Sequence, residues 1–184
     1  MIGPFILFVA SGIGICAAFL LPGMTDLLLL AVPCAVASLY LLIRAVIRQE
    51  FPPNWIVIDG SNVMHWKDGT PQIDTLREVV QRLTALGFTP GVVFDANAGY
   101  KISGRYRHDW AFGKLLGLPE DRIMVVAKGT PADAKVLEAA RGLGARVVTN
   151  DRYRDWADDH PEVLKPGYLI RGGYRDGALW LDVG

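Results

Sequence analysis

Hydrophobic and polar residues are distributed along this chain in two different ways. Ile2–Leu21 is almost uninterruptedly apolar, "PGMTD" (Pro22–Asp26) breaks the run, and Leu27–Ile43 is apolar again before Arg44, Ala45, Val46, Ile47 and Arg48. About 20 apolar residues cross a bilayer core as a helix. The first region therefore predicts a transmembrane helical hairpin over residues 1–49, in contact with the membrane through residues 2–47. Neither segment has a polar face, which argues against helices of a soluble core. A cleavable signal peptide fits poorly, because no basic residue precedes the first run and a second run follows it. Arg44 and Arg48 follow the second span, while the turn carries only Asp26. Basic flanks stay on the cytoplasmic side, so the expectation is a multi-pass protein of the cytoplasmic (inner) membrane with the rest of the chain in the cytoplasm. Small residues at Gly12, Cys16, Ala31, Ala35 and Ser38 suit close helix approach, and Pro33 predicts a kink. No charge lies in mid-span, so transport or a proton relay has no support.

After "EFPPN" (Glu50–Asn54), a stiff linker over residues 50–54, short apolar runs alternate with stretches of helical spacing. Trp55–Asp59 reads as a strand. Pro71–Leu86 reads as a helix capped by Thr70, with Leu76, Val79, Val80 and Leu83 as its buried stripe. Gly91–Ala96 is a second strand, Arg105–Leu116 a helix, Arg122–Ala127 a third strand, Pro131–Arg141 a helix capped by Thr130, and Ala145–Asn150 a fourth strand followed by a short helix from Asp151. The closing "YLIRGGYRDGALWLDV" reads as a hairpin turning at Asp176-Gly177. Alternating strands and helices predict an α/β domain over residues 55–184, with a mostly parallel sheet between helical layers.

Composition narrows the chemistry. The chain has 184 residues, and its 19 basic and 19 acidic residues cancel, which argues against a globally cationic nucleic-acid binder but not against a local basic patch. Both cysteines, Cys16 and Cys34, lie in the apolar spans. The remainder can therefore hold no disulfide, thiolate zinc site or cysteine nucleophile.

Ligands of an open parallel sheet bind beyond the carboxyl ends of its strands. Asp59 ends the first strand, Asp95 the second, Asp133 lies in the first turn after the third, and Asp151 follows the fourth with Asp155 four residues on. Each has a plain alternative. Asp133 makes a capping box with Thr130, Asp151 or Asn150 caps a helix, and Asp95 holds a turn. Asp59 is harder to dismiss, because "DGSN" shows no obvious helix start. Together they predict an oxygen-only site for Mg²⁺, with Mn²⁺ possible in its place. Such a metal site suits phosphodiester hydrolysis, with Asn62 and Ser61 orienting the reacting groups. A polyanionic substrate calls for cations nearby. "GYKISGRYRHDW" supplies Lys101, Arg105 and Arg107 among Tyr100, Tyr106 and Trp110, and Lys128, Arg152 and Arg154 lie on the same rim. Basic and aromatic residues interleaved suit single-stranded RNA, although a solvated helix face with core aromatics gives the same pattern.

"IVIDGSNVMHW", "ADAKVLEAA" and "VVTNDRYRDW", in that order, resemble the NYN branch of the PIN-like nucleases, and within it the Regnase-type (CCCH zinc-finger ribonuclease) catalytic domain. The closing strand pair is similar as well. The resemblance implies a PIN-like three-layer α/β/α fold and a Mg²⁺-dependent endoribonuclease. By motif, Asp59, Asn62, Asp133, Asp151 and Asp155 take the catalytic positions; the candidate metal ligands are Asp59, Asp133 and Asp151, with Asp95 added from its place at the end of the second strand rather than from the resemblance. The Regnase type has paired acids at the middle motif, where this chain has Ala132 before Asp133, and no CCCH finger is present. The alternative is a catalytically silent RNA- or nucleotide-binding module anchored at the membrane.

Overall fold

The computed structural model describes residues 2–50 and 52–184, with only the backbone of Ile2 and of residues 47–50. Phe51 of the linker and the side chain of Arg48 lie outside the described residues. The chain forms two compact units, Met1–Pro52 and Pro53–Gly184.

The first unit is a pair of helices, α1 (Ile2–Leu20) and α2 (Leu27–Glu50). Both are long and apolar enough to cross a membrane, over Gly3–Leu20 and Leu27–Val46. Their apolar side chains point outward, with Leu20 80% and Leu29 81% exposed. This is the reverse of helices filling a soluble core. The helices meet at small residues. A Cβ on Gly14 would lie 3.3 Å from Cβ of Ala31, whereas Gly12, the glycine expected at this contact, has nothing within 4 Å. Ser11 and Ser38 return their hydroxyls to the helix, donating to the carbonyls of Leu7 (2.8 Å) and Cys34 (2.7 Å), which removes a polar cost within an apolar pair.

The second unit is built on β1 (Trp55–Asp59), α3 (Gly60–Val63), α4 (Ile73–Ala85), β2 (Thr89–Phe94), α5 (Ala98–Ser103), α6 (Asp109–Leu116), β3 (Ile123–Val125), α7 (Ala132–Leu143), β4 (Arg146–Val148), β5 (Leu169–Ile170), β6 (Gly172–Arg175) and β7 (Ala178–Leu181). Five parallel strands run in the order β3-β2-β1-β4-β5. Strand residues alternate between faces. Ile56 and Ile58 pack with Leu76, Val79 and Leu83 of α4 and Phe112 and Leu116 of α6, whereas Val57 packs with Val136, Leu137 and Ala140 of α7. Helices thus cover both faces, giving the three layers expected, and burying side chains of this size stabilises the fold by ~1.5–3 kcal/mol each.

Several expected elements differ. The helix read over 105–116 is shorter, starting only at Asp109 as α6, and α5 (Ala98–Ser103) precedes it where the sequence reading had no helix. Gly104, at φ +68°, ends α5, and 105–108 form a loop before α6. Neither Thr70 nor Thr130 caps its helix: α4 starts after Gln72 and α7 after Pro131, with no side-chain cap at either. Thr70 instead accepts a hydrogen bond from Gln72 Nε2 (2.9 Å). The capping-box explanation of Asp133 therefore falls. The helix expected from Asp151 is a 3-10 turn at Arg154–Trp156. Leu169–Ile170, read as part of the closing hairpin, joins the parallel sheet instead. The hairpin proper is β6 and β7, turning at Asp176 (φ +52°) and Gly177 (φ +77°).

Candidate active site

The strand order reverses at β1. The chain moves outward from β1 to β2 and β3, then crosses by α7 to β4 on β1's other side. This leaves a crevice at the carboxyl ends of β1 and β4, the place where open α/β sheets bind ligands.

Asp59 ends β1 in that crevice and is buried. Contrary to the sequence reading, "DGSN" does start a helix. Asp59 is the N-cap of α3, its Oδ1 accepting from the Asn62 amide at 3.0 Å. Its Oδ2 faces β4 and accepts from the Tyr153 hydroxyl (2.8 Å) and Thr149 Oγ1 (3.2 Å). Burial pushes the Asp59 carboxyl above the usual carboxylate range. The bonds from Tyr153, Asn62 and Thr149 oppose that rise, and the negative charge of Asp133 adds to it. Asp133, at the start of α7, is raised in turn by burial and then by Asp151, while the Trp156 indole pulls it down. Asp151 follows β4, its Oδ1 accepting from the Tyr153 amide at 2.9 Å. Asp59 thus feels the charge of Asp133, and Asp133 that of Asp151.

Asn62 clamps the crevice. Its Oδ1 accepts from the Asn150 amide (3.0 Å) and from Trp66 Nε1 (2.8 Å), clamping α3 to the end of β4. Two N–H donors fix which amide atom is the oxygen. Ser61 ties the other side, its Oγ accepting from the Asp95 amide at 2.8 Å. Gly60 allows this crowding, since a Cβ there would come within 2.7 Å of the Phe94 ring and 2.8 Å of Val92.

The other candidates have contacts of their own or lie exposed. Asp95 lies one residue beyond β2, and its carboxylate binds Lys101 Nζ (2.9 Å) and the Asn97 amide (2.7 Å). Burial raises its pKa, but Lys101 and these hydrogen bonds outweigh burial, and the carboxyl is held below the usual value. Lys101 is thus already paired with an acid. Asp155 is exposed on the 3-10 turn. Arg105, Arg152 and Arg154 are exposed, Arg107 donates to Ser103 Oγ (2.9 Å), and Lys128 lines a cavity with Tyr100 and Tyr106.

Four supporting residues escaped the sequence reading. Thr149 and Tyr153 hold Asp59. Asn150 bonds to Gly172, its Nδ2 donating to the Gly172 carbonyl (2.8 Å) and its Oδ1 accepting from the Gly172 amide (3.3 Å). Arg171 donates to the Asp151 carbonyl (2.7 Å) and the Thr149 carbonyl (3.2 Å). Tyr153 stood within a quoted motif, but nothing in its spacing indicated a left-handed residue (φ +49°) that turns its hydroxyl inward. Arg171 and Gly172 carried no signal.

A family model described as the Zc3h12a-like ribonuclease NYN domain matches residues 53–166. The chain belongs to that family. Two structures of a plant protein are matched, and the first is similar in fold. The crystal structure of nuclear proteinaceous RNase P 2 (PRORP2) from A. thaliana aligns with a TM-score of 0.55 at 18% identity, covering 76% of this chain and 31% of that one. The Arabidopsis thaliana nuclear protein-only RNase P 2 (PRORP2) structure gives 0.45 at 19%, covering 79% and 34%. The chain spans about a third of the length of that protein. A comparison with curated proteins finds no match. Within the NYN domain, Ala132, where the Regnase type has an acid, is half-buried and packs against the core under α7.

The donor set of the NYN domain suits a hard divalent cation in kind. Its donors are oxygens, and Asp59 and Asp133 are raised by burial and by a like charge, so a cation among them would relieve both penalties. Among the described residues, no group of three Asp, Glu, His or Cys side chains is close enough to chelate a metal alone. A divalent cation bound here would therefore take one or two of these carboxylates and keep several of its waters.

Proposed function

We propose that the chain is a metal-dependent endoribonuclease that cuts single-stranded RNA at this crevice. Residues 1–49 anchor it as a membrane hairpin, residues 50–54 are the linker, and residues 55–184 are the nuclease domain. One observation carries the reading: a buried carboxylate, Asp59, ends β1 at the β1/β4 crevice of a ribonuclease-family NYN domain, with Asp133 at the start of α7 near enough to raise it. One or two of the carboxylates of Asp59, Asp133 and Asp151, completed by water, would hold Mg²⁺ or Mn²⁺, which would supply charge neutralisation at the scissile phosphate and an acidified water. Tyr153, Thr149 and the Asn62 amide fix the Asp59 carboxylate. Asn62 holds the floor of the crevice together, and its amide nitrogen is left to face the substrate. Asp155 and Asp95 stand at the margin, and Arg105, Arg107, Lys128, Arg152 and Arg154 supply positive charge for the RNA backbone. Arg44, exposed near the end of α2, supports a cytoplasmic NYN domain in a multi-pass inner-membrane protein. Protease digestion of the domain in inside-out but not right-side-out vesicles tests that orientation.

A catalytically silent binding module is the second reading, favoured by the Asp95–Lys101 pair and by Ala132. One experiment separates the two. The full chain in detergent is incubated with labelled single-stranded RNA and Mg²⁺, Mn²⁺ or chelator, beside Asp133→Asn and Asp151→Asn. The nuclease reading expects metal-dependent internal cleavage that falls at least about 100-fold in each variant while RNA binding persists. Binding without cleavage under any metal rejects it.

A further inference from the structure

A cavity of about 420 Å³ opens beyond the ends of β2 and β3, lined by Ala96, Asn97, Tyr100, Tyr106, Val126 and Lys128. Its size falls within the ~300–1,000 Å³ of small-ligand sites. Its composition is unusual for a solvated loop, since two tyrosines line it while remaining 54% and 44% exposed. Neither ring belongs to a core cluster, so the reading of core aromatics on a solvated helix face does not hold for these two.

The walls are built rather than incidental. The loop carrying Tyr106 lies directly on α5, because residue 99 is glycine. A Cβ there would sit 2.7 Å from both the Arg105 carbonyl oxygen and the Arg107 amide nitrogen. Gly99 therefore lets the Tyr106 backbone close over the turn that carries Tyr100. Arg107 Nε fastens the loop to Ser103 Oγ at 2.9 Å. His108 props the Tyr106 ring edge-on, with centroids 4.7 Å apart and planes at 85°. An exposed ring held in place, as Tyr106 is, loses little freedom when a flat ligand arrives. The floor, Ala96 and Val126, is apolar, the side-chain amide of Asn97 offers one donor and one acceptor group, and Lys128 brings a positive charge to the wall.

We propose that this cavity receives one unpaired nucleobase of the RNA, stacked on Tyr100 and Tyr106, with the adjoining phosphate beside Lys128. A flat π-face, a hydrogen-bonding edge and an attached anion are what these walls complement together. The site rests on the ribonuclease reading above and deepens it. It lies on the same carboxyl edge of the sheet as the acidic lip, so a base seated here sets which nucleotide the lip meets. A base-paired strand cannot fill it, because its bases are stacked inside the helix.

The test uses the full chain in detergent with chelator present, so that binding is read without cleavage, by fluorescence anisotropy of labelled RNA. Tyr100→Ala and Tyr106→Ala should each weaken single-stranded RNA binding about 5- to 150-fold, and Tyr106→Phe, which keeps the ring, should stay within about twofold of wild type. Lys128→Gln should reduce the slope of log K against log salt by about 0.7. Binding of a duplex of the same sequence should not change in Tyr106→Ala. The proposal is overturned if both alanine variants bind single strands as the wild type does, or if the duplex loses as much. A wild type that cleaves RNA with metal while the tyrosine variants bind normally sinks this site and leaves the nuclease reading standing. A wild type that binds no single-stranded RNA removes both.

Discussion

Asn62→Ala separates a clamp from a catalytic group. In the structure Asn62 Oδ1 receives two N–H donors, one from Trp66 and one from Asn150. A protein hydrogen bond contributes ~0.5–1.5 kcal/mol net, so truncation should destabilise the domain by about 1–3 kcal/mol. For a domain of this size that lowers Tm by roughly 3–5 °C per kcal/mol. Trp66→Phe removes one donor together with some packing against Gly172, where a Cβ would lie 2.4 Å from the Trp66 ring. The double mutant isolates the shared bond. Its coupling energy should equal one hydrogen bond, about 0.5–1.5 kcal/mol, because the packing loss cancels around the cycle. Urea denaturation of residues 53–184, which pack around cores of their own, measures all four states. If Asn62→Ala unfolds within about 0.3 kcal/mol of wild type and the coupling vanishes, the clamp is wrong and any loss of cleavage belongs to chemistry alone.

Two further outcomes follow from the packing and the charges. Gly60→Ala drives a methyl group into Phe94 and Val92 and should destabilise by about 1–3 kcal/mol in the same denaturation experiment; an unchanged midpoint means that β2 can shift. Glu162 is held down to about 2 by hydrogen bonding to Arg141, below its ordinary 4.5. Its contribution is therefore complete above about pH 4.5 and lost as pH falls toward about 2. Glu162→Gln should flatten the stability profile in that window and nowhere else.

The sheet was legible because its strands are short apolar runs, and a parallel sheet buried on both faces has to be written that way. The lip was legible for a related reason: an acid at the end of an apolar strand has few places to go but the carboxyl edge. What sequence missed were events decided by distant contacts. Leu169–Ile170 looks like half of a hairpin until β4 offers an open edge. The loop over 105–108, read as helix, follows from Gly104 ending α5 and from the chain folding back on Gly99. Thr70 and Thr130 look like caps, but the chain delays each helix by enough to put Gln72 and Pro131 there instead. Asp59 carries the reverse lesson, since a residue chosen for its chemistry also turned out to begin a helix.

The bonds from Asn150 to Gly172, and from Arg171 to the carbonyls on either side of Asn150, give the final hairpin an unplanned importance. The stretch matched to the family stops at residue 166, yet the turn that presents Asp151 is braced by residues beyond it. Anyone trimming the protein to its recognisable portion would cut away that brace, and an inactive fragment obtained that way would say nothing about the intact molecule.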